Sequence, residues 1–500
     1  MTTALHDRRS RAEAGTDAEI IIIGAGFAGL GMALRLRRAG YRSVIILERA
    51  DDVGGTWREN IYPGCACDIP AMLYSFSFER QTDWTRIYPQ QAEILRYLQR
   101  TVRRQRLARQ IRFNSEVAEA RFDAAQAMWA VTLTDGSMLR SRILISAMGS
   151  LSKPNLPAIP GRECFAGPSF HSARWDYSVD LRARNVAVIG TGASAIQFVP
   201  QIAPEVARLT LFQRTPPWVI PRHDRLVGPL RRLARAVIPG YAWIIRKTIY
   251  WTLEIRALGF VVQPKLLEWR ERDLRRFIEH SVSDPDLRAK VTPAYRAGCK
   301  RILISDDYYP TLLRADVELV SAAIREIRPH AVVTADGREI PADVIIYATG
   351  FRATDGIVPV RCYGLGGVEL GEAWSGGMEA YLGTTIAGFP NLFLMIGPNT
   401  GLGHNSMIFM MEAQYRYILG ALRYLKHSRA RVLDVKPDVM RRFNTMLQER
   451  MQRTVWATGC SSWYQDARRK NVSLWPGFTF AFRRRTSRFD AQRYRALDKL

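Results

Sequence analysis

Two glycine-rich loops, each preceded by an apolar run, constrain the fold of this 500-residue chain more than any other feature. The first is GAGFAG at 24–29, between the run Glu19–Ile23 and a helix predicted over Leu30–Ala39. The second is GTGASA at 190–195, at the end of the run Asn185–Gly190. Glycines at this spacing permit a tight turn and close approach to a pyrophosphate, which the N-terminus of the next helix attracts. The pattern predicts an α/β fold with two dinucleotide-binding units.

The residue that follows the second strand of each unit differs in charge. The apolar run Ser43–Leu47 ends in Glu48, which completes the order of a Rossmann βαβ motif. Glu48 lies 24 residues after Gly24, and Arg214 lies 24 residues after Gly190. A carboxylate accepts hydrogen bonds from ribose hydroxyls but repels a 2′-phosphate, whereas an arginine binds it. We therefore expect FAD in the first unit and NADPH in the second, with Thr215 as an additional hydroxyl donor.

Composition narrows the class of protein. A hydrophobic content of 47% is enough for the buried cores of two or three domains. Six scattered cysteines and seven histidines show no metal-type spacing, so neither a metal centre nor a disulfide scaffold is expected, and a cytoplasmic location is favoured. Neither a secretory signal nor a membrane span is expected. We attribute the net charge of +25 to arginine-rich composition and a phosphate-rich cofactor rather than to a nucleic-acid partner.

The stretch from Arg222 to Cys299 interrupts the α/β alternation and is predicted to be helical. Between Val227 and Thr252 it contains five basic residues, no acidic residue and several large apolar side chains. One interpretation is a helical subdomain that packs over the active site, and the other is a helix on the surface of an anionic membrane. The sequence alone favours the first, so peripheral membrane contact is left open and is not expected.

Two further runs have a more specific spacing. Gly54-Gly-Thr-Trp57 is followed by Asp68, and Trp57 stands where flavin-dependent disulfide reductases have the first cysteine of a redox pair. Cys65 and Cys67 are therefore interpreted as packing thiols. Between the two glycine loops, FAGPSFHSARWD fixes five positions: Phe165, Gly167, His171, Trp175 and Asp176.

The second run resembles the fingerprint of Baeyer–Villiger monooxygenases, flavoenzymes that insert one oxygen atom beside a carbonyl group. The resemblance covers the chain from about Ile20 to its end, and it includes a Lys-Arg pair at Lys300 and Arg301. It implies that Lys300 contacts the 2′-phosphate of NADPH, that Arg301 faces the flavin, and that Asp68 orients Arg301. The loop from Gly397 to Asn405 would place backbone amides beside the flavin, with His404 packed rather than catalytic.

The motifs and the resemblance together give a full set of expected contacts. The catalytic residues are Arg301 and Asp68. The residues expected to contact the cofactors are Gly24, Gly26, Phe27, Gly29, Glu48, Gly55, Thr56, Trp57, Asp68, Tyr74, Val117, Gly190, Thr191, Gly192, Ala193, Ser194, Gln197, Arg214, Thr215, Lys300 and Asn399.

The resemblance also divides the chain into two Rossmann-type dinucleotide-binding domains with a helical insertion in the NADPH domain. The expected segments are a flexible arm (1–18), the first part of the FAD domain (19–150), the fingerprint linker with the first part of the NADPH domain (151–221), the helical insertion (222–298), the second part of the NADPH domain (299–383), and the second part of the FAD domain with a C-terminal tail (384–500).

The implied reaction uses NADPH to reduce FAD, and a flavin peroxide then transfers oxygen to a hydrophobic ketone, giving an ester or lactone. This carbonyl chemistry, rather than oxygenation of sulfur or nitrogen, is favoured by two groups of residues. They are the end of the fingerprint, Trp175 and Asp176, and the set of Asp68, Lys300 and Arg301. Three alternatives stay open: an S- or N-oxygenating flavin monooxygenase, an NADPH oxidase that makes hydrogen peroxide, and a membrane- or nucleic-acid-binding protein on a flavin fold. A monomer or homodimer is expected.

Overall fold

The computed structural model describes residues 17–352, 360–428, 430–460, 462–466 and 468–497. The arm predicted for residues 1–18 therefore lies outside the described residues, except for its last two positions. The fold is α/β, as predicted, with a mixed first sheet, a parallel second sheet and a group of helices between consecutive strands of the second sheet.

The described chain contains twenty strands. They are β1 Ala18–Ile23, β2 Val44–Leu47, β3 Ile111–Arg112, β4 Val117–Asp123, β5 Met128–Leu133, β6 Met138–Ser146, β7 Ser169–His171, β8 Asn185–Ile189, β9 Arg208–Phe212, β10 Val219–Ile220, β11 Leu303–Ile304, β12 Val317–Val320, β13 Ile324–Arg328, β14 Ala331–Thr334, β15 Glu339–Pro341, β16 Val344–Tyr347, β17 Arg361–Tyr363, β18 Leu392–Leu394, β19 Val432–Val435 and β20 Tyr494–Leu497.

The same residues form thirteen α-helices. They are α1 Phe27–Arg38, α2 Thr56–Glu59, α3 Gln91–Arg104, α4 Ala195–Ile202, α5 Pro229–Val237, α6 Tyr241–Val261, α7 Lys265–Ser281, α8 Pro285–Val291, α9 Tyr308–Leu312, α10 Leu370–Ala373, α11 Met407–His427, α12 Pro437–Met451 and α13 Thr479–Arg485.

The first sheet carries the first glycine loop. β1 lies between parallel neighbours β2 and β6, and the meander β4–β5–β6 extends the sheet in antiparallel fashion. The successive residues Ile20, Ile21 and Ile22 are all fully buried although they point to alternate faces, so the sheet is covered on both faces. β17 returns the chain to this sheet at Arg361, earlier than the predicted boundary after residue 383, because Cys362 packs into its core.

The second sheet carries the second glycine loop. Its five strands are all parallel, in the order β12-β9-β8-β16-β7. The loops after β1 and β8 thus lie at the carboxyl edges of parallel strands, where open α/β sheets bind ligands. The two sheets share one core, in which the Phe198 ring lies 5.1 Å from that of Trp175 and 6.0 Å from that of Tyr62. This shared core holds the two nucleotide units against each other.

The helical insertion predicted between residues 222 and 298 consists of α5, α6, α7 and α8. It separates β10 from β11, which pair in parallel next to the second unit. Within the described residues, no helix combines the length and the apolar character that crossing a bilayer requires. Contacts tie the insertion to both nucleotide units: Arg246 of α6 donates to the oxygen of Met72 (2.8 Å), and Gln213, directly after β9, donates to the oxygen of Lys290 in α8 (2.8 Å).

One expectation about the cysteines is wrong. Cys299 and Cys460 form a disulfide across 161 residues, with their Cα atoms 6.1 Å apart. Their separation leaves no spacing signal in the sequence, which explains why the pairing was missed. The expectation of a cytoplasmic location consequently loses the support that it drew from cysteine usage. Cys65 and Cys67 are buried free thiols, in agreement with their interpretation as packing residues.

We expect Cys299→Ser to lower the thermal unfolding temperature by several degrees. A cross-link over so long a segment restricts the unfolded chain, and native disulfides contribute about 2–4 kcal/mol. Thermal unfolding of the FAD-loaded protein, with and without a thiol reductant, measures the effect. Cys164→Ser, at an exposed free cysteine, is the matched control. Equal unfolding temperatures for Cys299→Ser and the unaltered protein would contradict the prediction.

Candidate active site

The first glycine loop has the geometry of a pyrophosphate cradle. Gly24 has a φ of +104°, and a Cβ atom there would lie 2.7 Å from the carbonyl oxygen of Ala147. A Cβ atom at Gly29 would lie 1.9 Å from the oxygen of Gly24, so α1 approaches β1 as closely as only glycine permits. α1 begins directly after Gly26, its first turn has no acidic residue, and its first amides have no partner within the helix. These features fit the phosphates of a dinucleotide.

Residues expected beside the first cofactor cluster next to this loop. The amide of Gly54 donates to the oxygen of Ala25 (3.0 Å), so the two glycine segments touch. Trp57 donates from Nε1 to the hydroxyl of Tyr74 (3.2 Å), and the Phe27 ring lies 5.3 Å from that of Tyr74. Gly55 precedes α2, and Thr56 is its first residue. The structure thus brings these predicted residues together.

Glu48 lies at the end of β2, as the ribose-binding prediction requires. Its carboxylate is buried and accepts from the amides of Ala25 (2.7 Å) and Ala50 (3.1 Å). Two oxygens provide about four acceptor sites, so Glu48 retains capacity for ribose hydroxyls. Val117 begins β4, two residues after Ser115, whose amide donates to the carbonyl oxygen of Glu48 (2.8 Å).

The second glycine loop repeats the first. Gly190 has a φ of +110°, and a Cβ atom there would lie 2.5 Å from the oxygen of Ala348. A Cβ atom at Gly192 would have its nearest neighbour, the oxygen of Ala348, 3.9 Å away, so the backbone of Gly192 is open to a ligand. Thr191, Ala193 and Ser194 complete the turn into α4, and Thr191 Oγ1 donates to the oxygen of Thr215 (3.4 Å). The second loop therefore fits the phosphates of a dinucleotide in the same way as the first loop.

Arg214 and Lys300 lie near enough to each other for their charges to interact. Arg214 is exposed, and Lys300 places its Nζ 4.8 Å from the centre of the Tyr295 ring. Partial burial lowers the pKa of Lys300, and the positive charge of Arg214 lowers it further. Two cations held this close repel each other unless an anion lies between them. The arrangement fits the 2′-phosphate of NADPH.

An ion pair joins the two nucleotide units. Arg301 donates from Nε to Asp68 Oδ2 (2.9 Å), and its Nη2 bonds the same oxygen. Asp68 belongs to the first unit, and Arg301 lies just before β11, beside the second. The charge of Asp68 is the main cause that raises the pKa of Arg301, so the guanidinium is permanently charged. The structure therefore places both predicted catalytic residues in direct contact.

Tyr464 is a neighbour of this pair that the sequence did not reveal. Its side chain is buried, and burial raises its pKa to about 12 against the opposing charge of Arg301. It is thus a neutral phenol at physiological pH. Tyr464 is 163 residues away from Arg301, so no motif links the two.

A second polar cluster that sequence reasoning missed is centred on Glu254. The buried carboxylate accepts from Asn405 Nδ2 (2.6 Å) and Thr479 Oγ1 (2.8 Å), and His404 Nε2 lies 3.8 Å away. Burial alone would raise the pKa of Glu254, but these partners outweigh it and lower the pKa. His404 is completely buried, in agreement with its interpretation as packed. The available signal was that Glu254 is the single acidic residue of α6.

The fingerprint has a structural explanation. A Cβ atom at Gly167 would lie 2.3 Å from the oxygen of Asp343, so only glycine lets this segment approach β16. His171 ends β7, pairs with Tyr347 and accepts at Nδ1 from the amide of Ala173 (3.1 Å). Phe165 packs against the core of the second sheet, whereas Trp175 packs on Phe198. Asp176 is exposed and caps a turn through Ser178. The fingerprint fastens the linker to the second sheet.

We expect the stability of this linker to fall as the pH drops from about 6.5 to about 4. Burial lowers the pKa of His171 from 6.5 to about 4, so the unfolded chain binds a proton in this range and the folded protein does not. The loss is at most about 3 kcal/mol. Thermal unfolding at several pH values should show a shallower pH dependence for His171→Gln. His280→Gln, at an exposed histidine, is the control, and equal slopes for both variants would refute the assignment.

Two predicted cofactor residues make different contacts. Gln197 bridges the units, accepting from Tyr62 (3.1 Å) and donating to the oxygen of Ala66 (3.1 Å). Asn399 donates from Nδ2 to the oxygens of Asn471 and Leu474, both at 2.9 Å. Their side chains thus hold protein segments in place, and their cofactor contacts stay predictions. No group of three or more potential metal ligands occurs among the described residues.

Comparison with known proteins gives four findings. A family model described as pyridine nucleotide-disulphide oxidoreductase matches residues 21–230. The chain is 47% identical to a Baeyer–Villiger monooxygenase of Streptomyces coelicolor over 96% of this chain and 92% of the relative. Cyclohexanone monooxygenase from Rhodococcus sp. Phi1, bound to NADP+, matches with a TM-score of 0.86 and 28% identity over 95% of this chain and 97% of its own. The OTEMO complex with FAD and NADP matches with a TM-score of 0.85 and 29% identity over 94% and 97%.

Proposed function

Because this chain belongs to the Baeyer–Villiger monooxygenase family, we propose that it inserts one oxygen atom of O2 beside the carbonyl group of a hydrophobic ketone. FAD and NADPH are its cofactors, and when bound they supply the electrons and activate O2. The reaction consumes ketone, O2, NADPH and a proton, and it gives an ester or lactone, water and NADP+. The observation that carries the proposal is the Asp68–Arg301 ion pair at the junction of the two nucleotide units.

Arg301 supplies a fixed positive charge at this junction. Oxygen transfer to a carbonyl group develops negative charge on oxygen, and a preorganised cation stabilises that charge without rearrangement during the reaction. The pKa of Arg301 is raised above an already high value, so its charge does not depend on pH in the working range. Arg301 is therefore the residue that we assign to stabilising the transferred oxygen.

Asp68 positions Arg301. Asp68 accepts both guanidinium bonds at one oxygen, which fixes the direction of the charged plane. The buried phenol of Tyr464 lies near Arg301 and is neutral, so it adds no competing charge. A guanidinium held in a fixed direction by its carboxylate partner loses little energy to reorganisation, which is what electrostatic stabilisation of a transition state requires.

The remaining residues hold the two cofactors. Gly24, Gly26 and Glu48 would bind the pyrophosphate and ribose of FAD, and the aromatic cluster of Trp57 and Tyr74 lies next to them. Arg214 and Lys300 would bind the 2′-phosphate of NADPH. This division places FAD on the Asp68 side of the junction and NADPH on the Lys300 side.

The test measures NADPH and O2 consumption by the FAD-loaded protein with cyclic, aromatic and long-chain ketones and with a thioether, with products identified by mass spectrometry. The proposal predicts an ester or lactone in a one-to-one ratio with NADPH consumed. A sulfoxide as the sole product would establish heteroatom oxygenation instead. Hydrogen peroxide as the sole product would establish an NADPH oxidase.

A further inference from the structure

Helix α6 has an apolar stripe on its solvent-exposed side. The stripe consists of Ile244, Trp251, Ile255, Leu258 and Val262, all exposed, and the small side chain of exposed Thr248 fills the one turn without an apolar member. At about 100° and 1.5 Å per residue, they form one narrow face about 27 Å long. The side chain of Ile255, in the middle of the stripe, is 63% exposed. A surface helix normally buries such a stripe, so this face requires a partner.

Helix α5 exposes its apolar side in the same unusual way. Leu230, Leu233 and Val237 lie on one face, and Leu230 is 80% exposed. Arg232 and Arg235, on the opposite side, are the more buried residues. The amphipathic pattern of α5 is thus reversed relative to that of a helix that packs on a protein core.

Neighbouring elements extend the exposed apolar surface of α5 and α6, and this surface contains three tryptophans. Leu266 and Trp269 in the first turns of α7 are exposed, and the ring of exposed Phe480 lies 6.1 Å from that of Trp251. Trp243, Trp251 and Trp269 are each half exposed or more. Tryptophan is the side chain enriched at membrane–water interfaces. We call the exposed apolar side chains of α5, α6 and the start of α7 the apolar face.

The charges around the apolar face are almost all positive. From Leu226 to Trp269 the chain has seven basic residues and two acidic ones. Of the acids, Glu254 is buried, and Glu268 is paired with Arg296. On α6 itself, Lys247 and Arg256 lie on opposite sides of the stripe, about 60° and about 120° from its centre by the helical angles. The rim of the apolar face is therefore cationic.

Buried contacts fix α6 with this face outward. Arg246 donates to the oxygens of Met72 (2.8 Å) and Ser75 (3.0 Å) on the inner side. The Tyr250 ring stacks on Phe409 at 4.8 Å, and Glu254 is bound to Asn405 and Thr479. Rotating the helix to bury the stripe would break all of these contacts and expose a carboxylate bound inside the protein.

We propose that the apolar face docks on the surface of an anionic lipid bilayer, with α5 and α6 lying in the interface and their basic residues at the lipid headgroups. An apolar stripe with interfacial tryptophans and a cationic rim is the pattern of a helix that lies on a membrane. A second copy of this chain is a poorer partner because a two-fold interface would place the same positive rims opposite each other. The net charge of +25 opposes that association further. This inference concerns a surface and does not depend on the proposed reaction.

The test is co-sedimentation of the FAD-loaded protein with vesicles of phosphatidylcholine, with or without phosphatidylglycerol, at low and high salt. We expect binding to the anionic vesicles that weakens as salt rises, since screening weakens the headgroup attraction. Ile255→Glu with Leu258→Glu should reduce binding at least about tenfold, because charges would enter the apolar layer. Lys247→Gln with Arg256→Gln should also reduce it about tenfold. Met138→Glu, at an exposed apolar residue of the first sheet, is the matched control and should bind normally.

FAD content and thermal unfolding show whether each variant is folded, so a loss of binding is interpretable. Three results would overturn the proposal: no binding of the unaltered protein to anionic vesicles at low salt, equal binding to vesicles without phosphatidylglycerol, or normal binding of the double glutamate variant. A dimer that the double glutamate variant dissociates, with no vesicle binding, would show that a second copy covers the apolar face.

Discussion

Arg301→Ala is expected to lower the rate of ester or lactone formation about 10²–10³-fold while NADPH still reduces the flavin. The variant removes the one cation that Asp68 holds at the junction of the units, and it leaves both glycine loops intact. Rapid-mixing measurement of flavin reduction without O2, followed by product analysis with O2, separates the two steps. Electrons that do not reach the ketone should appear as hydrogen peroxide.

Three variants make this result specific. Arg301→Lys keeps the charge but loses the planar fork that bonds Asp68, so it should recover only part of the activity. Asp68→Asn keeps Arg301 but removes its ionic partner, and its loss should be smaller than that of Arg301→Ala. Arg174→Ala changes an exposed arginine that is 3.9 Å from Glu59 and should have no effect. Product formation by Arg301→Ala at the unaltered rate would refute the assignment.

Local patterns predicted the fold well. Apolar runs before the two glycine loops became β1 and β8, and the 24-residue spacing placed Glu48 and Arg214 after β2 and β9. These features are encoded within about thirty residues, because a βαβ unit is a local structure. The family, the fold class and the two cofactors predicted from them are confirmed.

Contacts between distant residues were not predictable from local patterns. Asp68 and Arg301 are 233 residues apart, and only the family resemblance joined them. Tyr464 and the Cys299–Cys460 disulfide had no such support, so the sequence did not reveal them. The individual roles of the site residues stay predictions that the variants described here test.

The orientation of α6 shows a further limit of sequence patterns. Both faces of this helix are apolar, so periodicity alone does not decide which face is buried. The buried face is chosen by Glu254 and Arg246, whose partners lie far away along the chain. The sequence favoured a helix that covers the active site, which stays a prediction, and the structure shows that this helix presents an apolar face outward.

Replacing Arg214 and Lys300 by glutamine is expected to remove the preference for NADPH over NADH. Each side chain can give the 2′-phosphate a charge-assisted hydrogen bond worth about 1.5–3 kcal/mol, or about tenfold to a hundredfold in affinity. Each single variant should therefore lower kcat/KM for NADPH by about that factor, and the double variant by more. The value for NADH should change little, because NADH has no phosphate at this position. Steady-state kinetics with both coenzymes measure the ratio.

The ratio of kcat/KM for NADPH to kcat/KM for NADH separates phosphate recognition from a general loss of structure. Arg208→Gln is the matched control, since Arg208 lies on β9 of the same unit but is paired with Glu318 at 2.7 Å. Calorimetry with adenosine 2′,5′-bisphosphate gives a readout that does not involve catalysis. The affinity for this ligand should fall by about the same factor as kcat/KM for NADPH. An equal fall for NADPH and NADH would mean that the pair supports the fold around Tyr295 rather than a phosphate. An unchanged preference for NADPH in the double variant would show that the 2′-phosphate binds elsewhere.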